Sequence, residues 1–256
     1  MPGNIQSIER AAAILRLLSG RTRRLSVGDM AAELGLPKAT AYGILRTLQS
    51  VGFVEQDAET GRYQLGAALL HMGSSYLDGN ELRTRALNWA DSLAARAGES
   101  VRIGTLHNGE VLIVHHVFRP DGSRQALDVG SLQPAHAGAL GKALLAFGGL
   151  GIGIGSLEHE PLAQYTPATI TDPDRLREEL DAIRARGWAM DRQELVDGEV
   201  GYAAPIQDRR AMTVGAIGVS GPVERLSEDG EARADLIAYV REAARAVSRE
   251  LGALRW

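Results

Sequence analysis

Between residues 25 and 51 the sequence sets two short amphipathic segments on either side of Gly35-Leu36-Pro37, and few folds accommodate that punctuation. Ser26 and Asp29 have the spacing of a capping box, each side chain placed to satisfy the other's backbone N–H at a helix start. Met30, Ala31 and Leu34 continue the apolar stripe, and Gly35 closes the helix in the left-handed conformation that glycine tolerates. Leu36-Pro37 turns the chain, and residues 38–51 form the next helix. Upstream, Ser7 is positioned to cap a helix whose Ile8, Ala11, Ala12, Leu15 and Leu18 follow the helical period; Ser19-Gly20-Arg21-Thr22 ends it. Downstream of Gly52, residues 53–56 and 62–65 read as strands around Asp57-Ala58-Glu59-Thr60-Gly61. Helix, tight turn, helix and hairpin is the order of a winged helix-turn-helix.

The helix over residues 38–51 separates into two faces. Ala41, Ile44, Leu45 and Leu48 share the stripe that must pack inward. Ala39, Gly43, Arg46 and Ser50 lie opposite, flanked by Thr40 and Thr47, and that face is small, hydroxylated and basic with no acid on it. Such a face fits a major groove about 12 Å wide and offers donors to phosphates and base edges. An exposed helical glycine such as Gly43 costs roughly 1 kcal/mol relative to alanine, and close approach to DNA would account for it as readily as drift at a tolerant site. The charge distribution agrees with a DNA module. Residues 1–54 hold seven Lys/Arg against three Asp/Glu, a net +4, which leaves −8 on the remainder of a chain whose formal charge is −4. A basic end on an acidic body is the pattern of a module that meets a polyanion. The expected DNA contacts are Ser26, Lys38, Ala39, Thr40, Tyr42, Gly43, Arg46 and Thr47, with Arg62 from the wing reaching the neighbouring backbone. The expected partner is double-stranded operator DNA.

At 256 residues, 45% hydrophobic and 23% charged, the chain has the composition of a folded protein of one or two domains. The longest uncharged apolar run, residues 143–157, carries five glycines and is too short for the roughly 17–25 residues that a bilayer requires. The first residues lack the basic and small-residue signature of a secretory leader, so a cytoplasmic location is expected. With no cysteine, disulfides, thiolate metal sites and cysteine nucleophiles are excluded.

Several runs together identify a family. Ser7-Ile8-Glu9-Arg10-Ala11, Gly35-Leu36-Pro37-Lys38-Ala39-Thr40-Ala41-Tyr42, Leu45-Arg46-Thr47-Leu48, Gly52-Phe53-Val54 and Arg62-Tyr63-Gln64-Leu65-Gly66 resemble the IclR family of bacterial transcriptional regulators. The resemblance continues through Gly130-Ser131-Leu132-Gln133-Pro134-Ala135-His136-Ala137, Gly141-Lys142-Ala143, Arg186-Gly187-Trp188, Asp191, Glu194, Gly198, Ala203-Ala204-Pro205-Ile206, Gly221-Pro222 and Arg225-Leu226, in the family's order over nearly the whole chain. Within the family the sequence is most similar to regulators of glycerol operons in high-GC bacteria. One departure is Gly43, where family members commonly carry arginine in the recognition helix.

The resemblance implies three parts: a winged helix-turn-helix over 1–66, a linker helix over 67–80 near which the DNA modules pair, and an effector-binding and oligomerisation domain over 81–256, similar to GAF and PAS sensors. It implies self-association as a dimer or a dimer of dimers. It also implies an effector pocket lined by the turn Gly138, Ala139 and Leu140, with Asp191 as its carboxylate, Gly201 as a small position, Gln133 as a polar group and Leu127 as a wall. On the residues alone, the 138–140 turn could equally be a tight packing turn, and Asp191 could pair with a surface arginine. Glycerol, glycerol 3-phosphate or a small carboxylate is the expected effector.

The spacing of the body independently predicts an α+β domain on a mostly antiparallel sheet. Asn80 caps a helix from 81 to about 96 bearing Leu82, Ala86, Trp89 and Leu93; strands follow over 100–106 and 111–118 around Asn108-Gly109, and again over 125–129. Helices are expected over 138–147, over 172–186 behind Asp172-Pro173, and from about 231; strands are expected over 188–195, 200–207 and 213–220. No cofactor or metal is called for. Gly141-Lys142 fails as a phosphate loop, because His136 stands at the first glycine's place and Ala143 follows the lysine. The glycine run 148–155 has no dinucleotide-binding register and reads as a loop. His115 and His116 point to opposite faces of one strand, His159-Glu160 lacks a second histidine, and no nucleophile elbow is present. A hydrolase or transferase with an accessory DNA-binding module, and an architectural DNA binder, are the competing functions. A ligand-responsive regulator, with repression expected, leads them.

Overall fold

The computed structural model describes residues 4–20, 24–148, 161–228 and 231–254. The chain divides into two units, residues 1–79 and 80–256.

In the first unit, α1 (Gln6–Leu18), α2 (Val27–Glu33) and α3 (Lys38–Ser50) pack around Ile14, Met30 and Leu45, each fully buried. The capping box forms as expected: Ser26 Oγ accepts from the Asp29 N–H at 3.2 Å, and Asp29 Oδ2 accepts from the Ser26 N–H at 3.0 Å. Gly35 sits at φ +62° between α2 and α3, the left-handed conformation that the turn demands. The wing pairs β1 (Val54–Gln56) with β2 (Tyr63–Leu65), Val54 opposite Leu65. Its turn is fastened by Asp57, whose Oδ1 accepts from the Glu59 and Thr60 N–H groups and the Thr60 hydroxyl. Ser7 does not cap α1. The helix begins two residues earlier, with Ile5 at the N-cap, and Asn4 donates instead to Glu9 Oε1 at 2.6 Å. The stretch expected as a linker is α4 (Ala67–Asp78), which belongs to this unit and buries none of its residues.

The second unit opens with α5 (Glu81–Ala97), capped by Asn80 Oδ1 on the Arg83 N–H. A six-stranded antiparallel sheet follows, in the order β5-β4-β3-β8-β7-β6, from β3 (Ser100–His107), β4 (Glu110–Val117), β5 (Leu132–Pro134), β6 (Ala189–Arg192), β7 (Glu199–Gln207) and β8 (Thr213–Pro222). Asn108 and Gly109 both take positive φ, 51° and 83°, as a two-residue hairpin turn requires. α6 (Ala139–Phe147) and α7 (Pro173–Arg186) share one core with Ala189, Ala203 and Ala216 of the sheet. The alternate face carries Val101, Tyr202 and Val219, and α5 and α9 (Ala234–Glu250) pack on the sheet too. A short α8 (Val223–Leu226) and the strands β9 (Ser227–Glu228) and β10 (Glu231–Ala232) precede α9.

Three expectations are corrected. Residues 125–129 form no strand: the Gln125 amide is spent on the Arg119 backbone and Ser100, Asp128 turns onto Arg102, and the edge strand begins only at Leu132. The strand expected over 188–195 stops at Arg192, because Asp191 Oδ1 draws in the N–H groups of Glu194 and Leu195 and curls the chain. The last helix starts at Ala234 rather than 231, after the β9–β10 pair. Glycines 149–155 and His159-Glu160 lie outside the described residues. No described helix is long and apolar enough to cross a membrane.

Candidate functional sites: a recognition helix and a cup on the sheet

α3 buries Ala41, Leu45 and Leu48, half-buries Ile44, and leaves Lys38, Ala39, Tyr42, Gly43, Arg46, Thr47 and Ser50 exposed, with Thr40 partly so. The face expected to meet DNA is therefore the free one. Ser26 is committed to its cap. Arg62 is exposed but fastened, one Nη donating to the Arg24 carbonyl at 2.9 Å. Arg24, which the pattern did not single out, pairs with Asp57 at 2.7 Å beside it. A Cβ added at Gly43 meets no heavy atom within 4 Å, so nothing inside the protein requires glycine there. Gly43→Ala should therefore raise unfolding stability by roughly 0.5–1 kcal/mol. Denaturant titration measures that. A loss of operator affinity in the same variant would assign the glycine to DNA approach, and a destabilised variant would show the exposed-helix account to be wrong.

In the second unit, one face of the sheet carries a row of four neighbours across four strands: Asp191 opposite Gly201, Gly201 opposite Ser220, Ser220 opposite Ser100. The N-terminus of α6 stands over this row. A Cβ on Gly201 would lie 3.4 Å from the Ala139 Cβ, so a small residue at 201 lets the helix end approach. α6 itself approaches the preceding turn so closely that a Cβ on Gly141 would fall 2.2 Å from the Ala135 carbonyl oxygen. Gly138 is the N-cap, with no side chain to receive the first-turn N–H groups. Those donors and the positive end of the helix dipole are available to an oxygen.

Beneath this end lies a buried charge cluster. Lys142 Nζ is 2.5 Å from Glu194 Oε1, with both side chains almost wholly removed from solvent, and Glu194 Oε2 is buried with no partner among the described residues. Asp191 is buried too, and its carboxyl is pushed up to about 7, chiefly by desolvation, against the backbone N–H of Glu194 and the charge of Lys142. Among the described residues Asp191 makes no ion pair with a surface arginine; its Oδ1 accepts from Glu194 at 2.7 Å.

At the other end of the row, Arg102 donates from Nε to Asp128 Oδ2 at 2.7 Å, its Nη2 lies 2.7 Å from the same oxygen as an ion-pair contact, and Nη1 donates to Ser220 Oγ. Neither Arg102, Asp128 nor Ser220 was anticipated, although an arginine inside the apolar run Val101-Arg102-Ile103 is a signal that it has a partner. Two expected pocket residues are not brought to this row. Gln133 pairs with Val111 towards the opposite end of β3 and β4, and Leu127 is 65% exposed on the loop before Asp128.

The same loop creates what resembles a nucleophile and base: Ser100 Oγ is 3.1 Å from His116 Nε2, with Asp128 beyond. The hydrogen bonding is wrong for catalysis. His116 Nδ1 accepts the Asp128 backbone N–H at 3.2 Å, so the ring proton sits on Nε2 and points at the serine. Burial lowers the His116 pKa to about 4, so the ring is neutral at pH 7, and its one lone pair, on Nδ1, is taken by the Asp128 N–H and turned away from Ser100.

Comparison with known proteins agrees. Residues 7–58 match the IclR helix-turn-helix domain, and residues 74–249 match the family described as bacterial transcriptional regulator IclR C-terminal. The chain belongs to the IclR family. This IclR-family protein is 57% identical over 256 residues to the glycerol operon regulatory protein of Streptomyces coelicolor and 54% identical to that of Streptomyces griseus, covering 100% of both chains in each pair. Its fold matches the IclR transcriptional regulator of Alicyclobacillus acidocaldarius with a TM-score of 0.82 at 26% identity, over 98% of this chain and 100% of that one. The IclR of Thermotoga maritima matches with a TM-score of 0.74, also at 26% identity, over 97% and 100%. The protein is a DNA-binding transcriptional regulator, and the matched families and relatives are regulators rather than enzymes.

Proposed function

We propose that this regulator represses a small-molecule catabolic operon, a glycerol operon being the one named for its relatives, and that a small polyol, its phosphate or a small carboxylate releases it. It acts in the cytoplasm as a dimer or dimer of dimers, each winged helix covering one half-site of a pseudo-palindrome. The observation that carries the effector reading is the row Asp191, Gly201, Ser220 beneath the uncapped N-terminus of α6. In that arrangement the N–H groups of Ala139 and Leu140 donate to a ligand oxygen. Asp191, with Oδ1 engaged by the backbone, offers Oδ2 to a ligand hydroxyl. A tenfold change in operator affinity needs about 1.4 kcal/mol of coupling, within reach of one or two buried hydrogen bonds. α4, with Leu70, Met72 and Tyr76 exposed, is the segment on which paired copies would meet and through which the response would travel.

Operator titration with and without glycerol, glycerol 3-phosphate and small carboxylates tests the reading; operator affinity indifferent to all of them refutes it. For the DNA face, Arg46→Ala should weaken operator binding and lower the slope of log K against log salt by about one unit, the mark of one lost phosphate contact. An unchanged slope would mean that Arg46 faces solvent in the complex.

A further inference from the structure

We infer that Arg102 is the receptor for an oxyanion, phosphate or carboxylate, on the effector, and that Asp128 occupies that place as a substitute supplied by the chain itself. The inference rests on the proposed effector site and specifies which ligands it takes.

Arg102 lies beside the row that carries Ser220 and Ser100, and Nη1 already touches the Ser220 hydroxyl. Its side chain is about one-fifth exposed, and a guanidinium so far withdrawn from water needs an anion, because it cannot shed its proton. Asp128 meets that need with an imperfect geometry. Nε and Nη2 converge on a single oxygen, Oδ2, rather than lying side by side on two, the arrangement in which an arginine and an oxyanion bind most strongly. A tetrahedral phosphate or a planar carboxylate presented from the ligand can accept both donors on separate oxygens. The Ser220 hydroxyl stands ready beside them.

The substitute is also delivered by a replaceable element. Residues 118–131 cross the sheet face without forming a strand. Side-chain bonds hold them: the Asp128 N–H on His116 Nδ1, and Gln125 between Ser100 Oγ and the Arg119 backbone. One cation does not serve two anions in a partly dry site, so an incoming oxyanion expels the Asp128 carboxylate and shifts the loop that carries it. Asp191 lies two strands from Ser220, about 10 Å at the usual strand spacing. A molecule with an oxyanion at one end and hydroxyls at the other spans that gap, so the favoured class is a short polyol phosphate or a hydroxy acid.

The test uses the full-length protein and direct calorimetric titration with glycerol 3-phosphate, glycerate and glycerol. Wild type should bind at least one anion more tightly than glycerol, and which anion prevails separates phosphate from carboxylate. Asp128→Asn, which removes the competitor, should tighten anion binding about tenfold and leave glycerol unaffected. Arg102→Gln should weaken the anion by about 10–100-fold, the loss expected for charge-assisted bonds. Equal or tighter binding of glycerol by wild type, or an Asp128→Asn protein whose anion affinity is unchanged or lower, overturns the inference even if Arg102→Gln fails to fold. Should Asp191→Asn abolish binding while the Arg102 and Asp128 variants do not alter it, the effector site stands and the role of Arg102 falls. If none of the three variants alters binding, both fall.

Discussion

Lys142→Met should destabilise the C-terminal unit by about 3–5 kcal/mol, because it strands Glu194 as an uncompensated buried charge. Among the described residues, Glu194 Oε1 would keep only the Arg192 N–H at 3.2 Å, and Oε2 already lacks a partner. The double variant Lys142→Met/Glu194→Gln should recover most of that loss, since replacing both charges is close to neutral where removing one is not. Denaturant unfolding read separately for the two units measures the effect. A single-variant loss below about 1 kcal/mol would mean that water reaches the cluster.

Asp191 has the second large effect, and its sign follows from a folded pKa of about 7 against 3.8 for an ordinary aspartate. Between those values the folded protein holds a proton that the unfolded chain has released. Stability contributed by the neutral carboxyl is full below about pH 4, declines as pH rises, and is gone above about 7. Asp191→Asn mimics the neutral form at every pH. At pH 8 it should therefore be more stable than wild type by up to about 4 kcal/mol, converging with wild type near pH 4. The same variant should lose its response to effector, since an amide no longer offers the acceptor oxygen pair of a carboxylate. A stability difference that stays flat from pH 4 to 8 would contradict the burial-driven shift.

Local chemistry makes much of this legible in the sequence. The Ser26–Asp29 capping box, Gly35, the Asn80 and Asp172 caps and the Asn108-Gly109 hairpin are decided within four residues, and each appears where its side-chain pattern puts it. Elements whose state depends on distant partners were not legible. Residues 125–129 have strand composition, but Asp128 and Gln125 find better partners on β3 and β4 than a ladder would offer. Ser7 has the chemistry of a cap, yet Ile5 takes that position. At the candidate site, Gly138, Ala139, Asp191 and Gly201 came from family resemblance and do lie together. Arg102, Ser220 and Lys142 were missed because their roles arise from pairing across the sheet, or from helix to turn, at separations of 118 and 52 residues. A lone charge inside an apolar stretch was the available clue for both Arg102 and Lys142.

α4 has a consequence for how any signal could move along the chain. Twelve residues of helix are too few to hold their shape in water unaided, and none of these twelve is buried. Its amide protons should therefore be among the first to exchange with solvent, and its stiffness is set by whatever surface comes to cover Leu70, Met72 and Tyr76. Covered, the segment is a rod that transmits a twist; uncovered, it is a tether that transmits only distance.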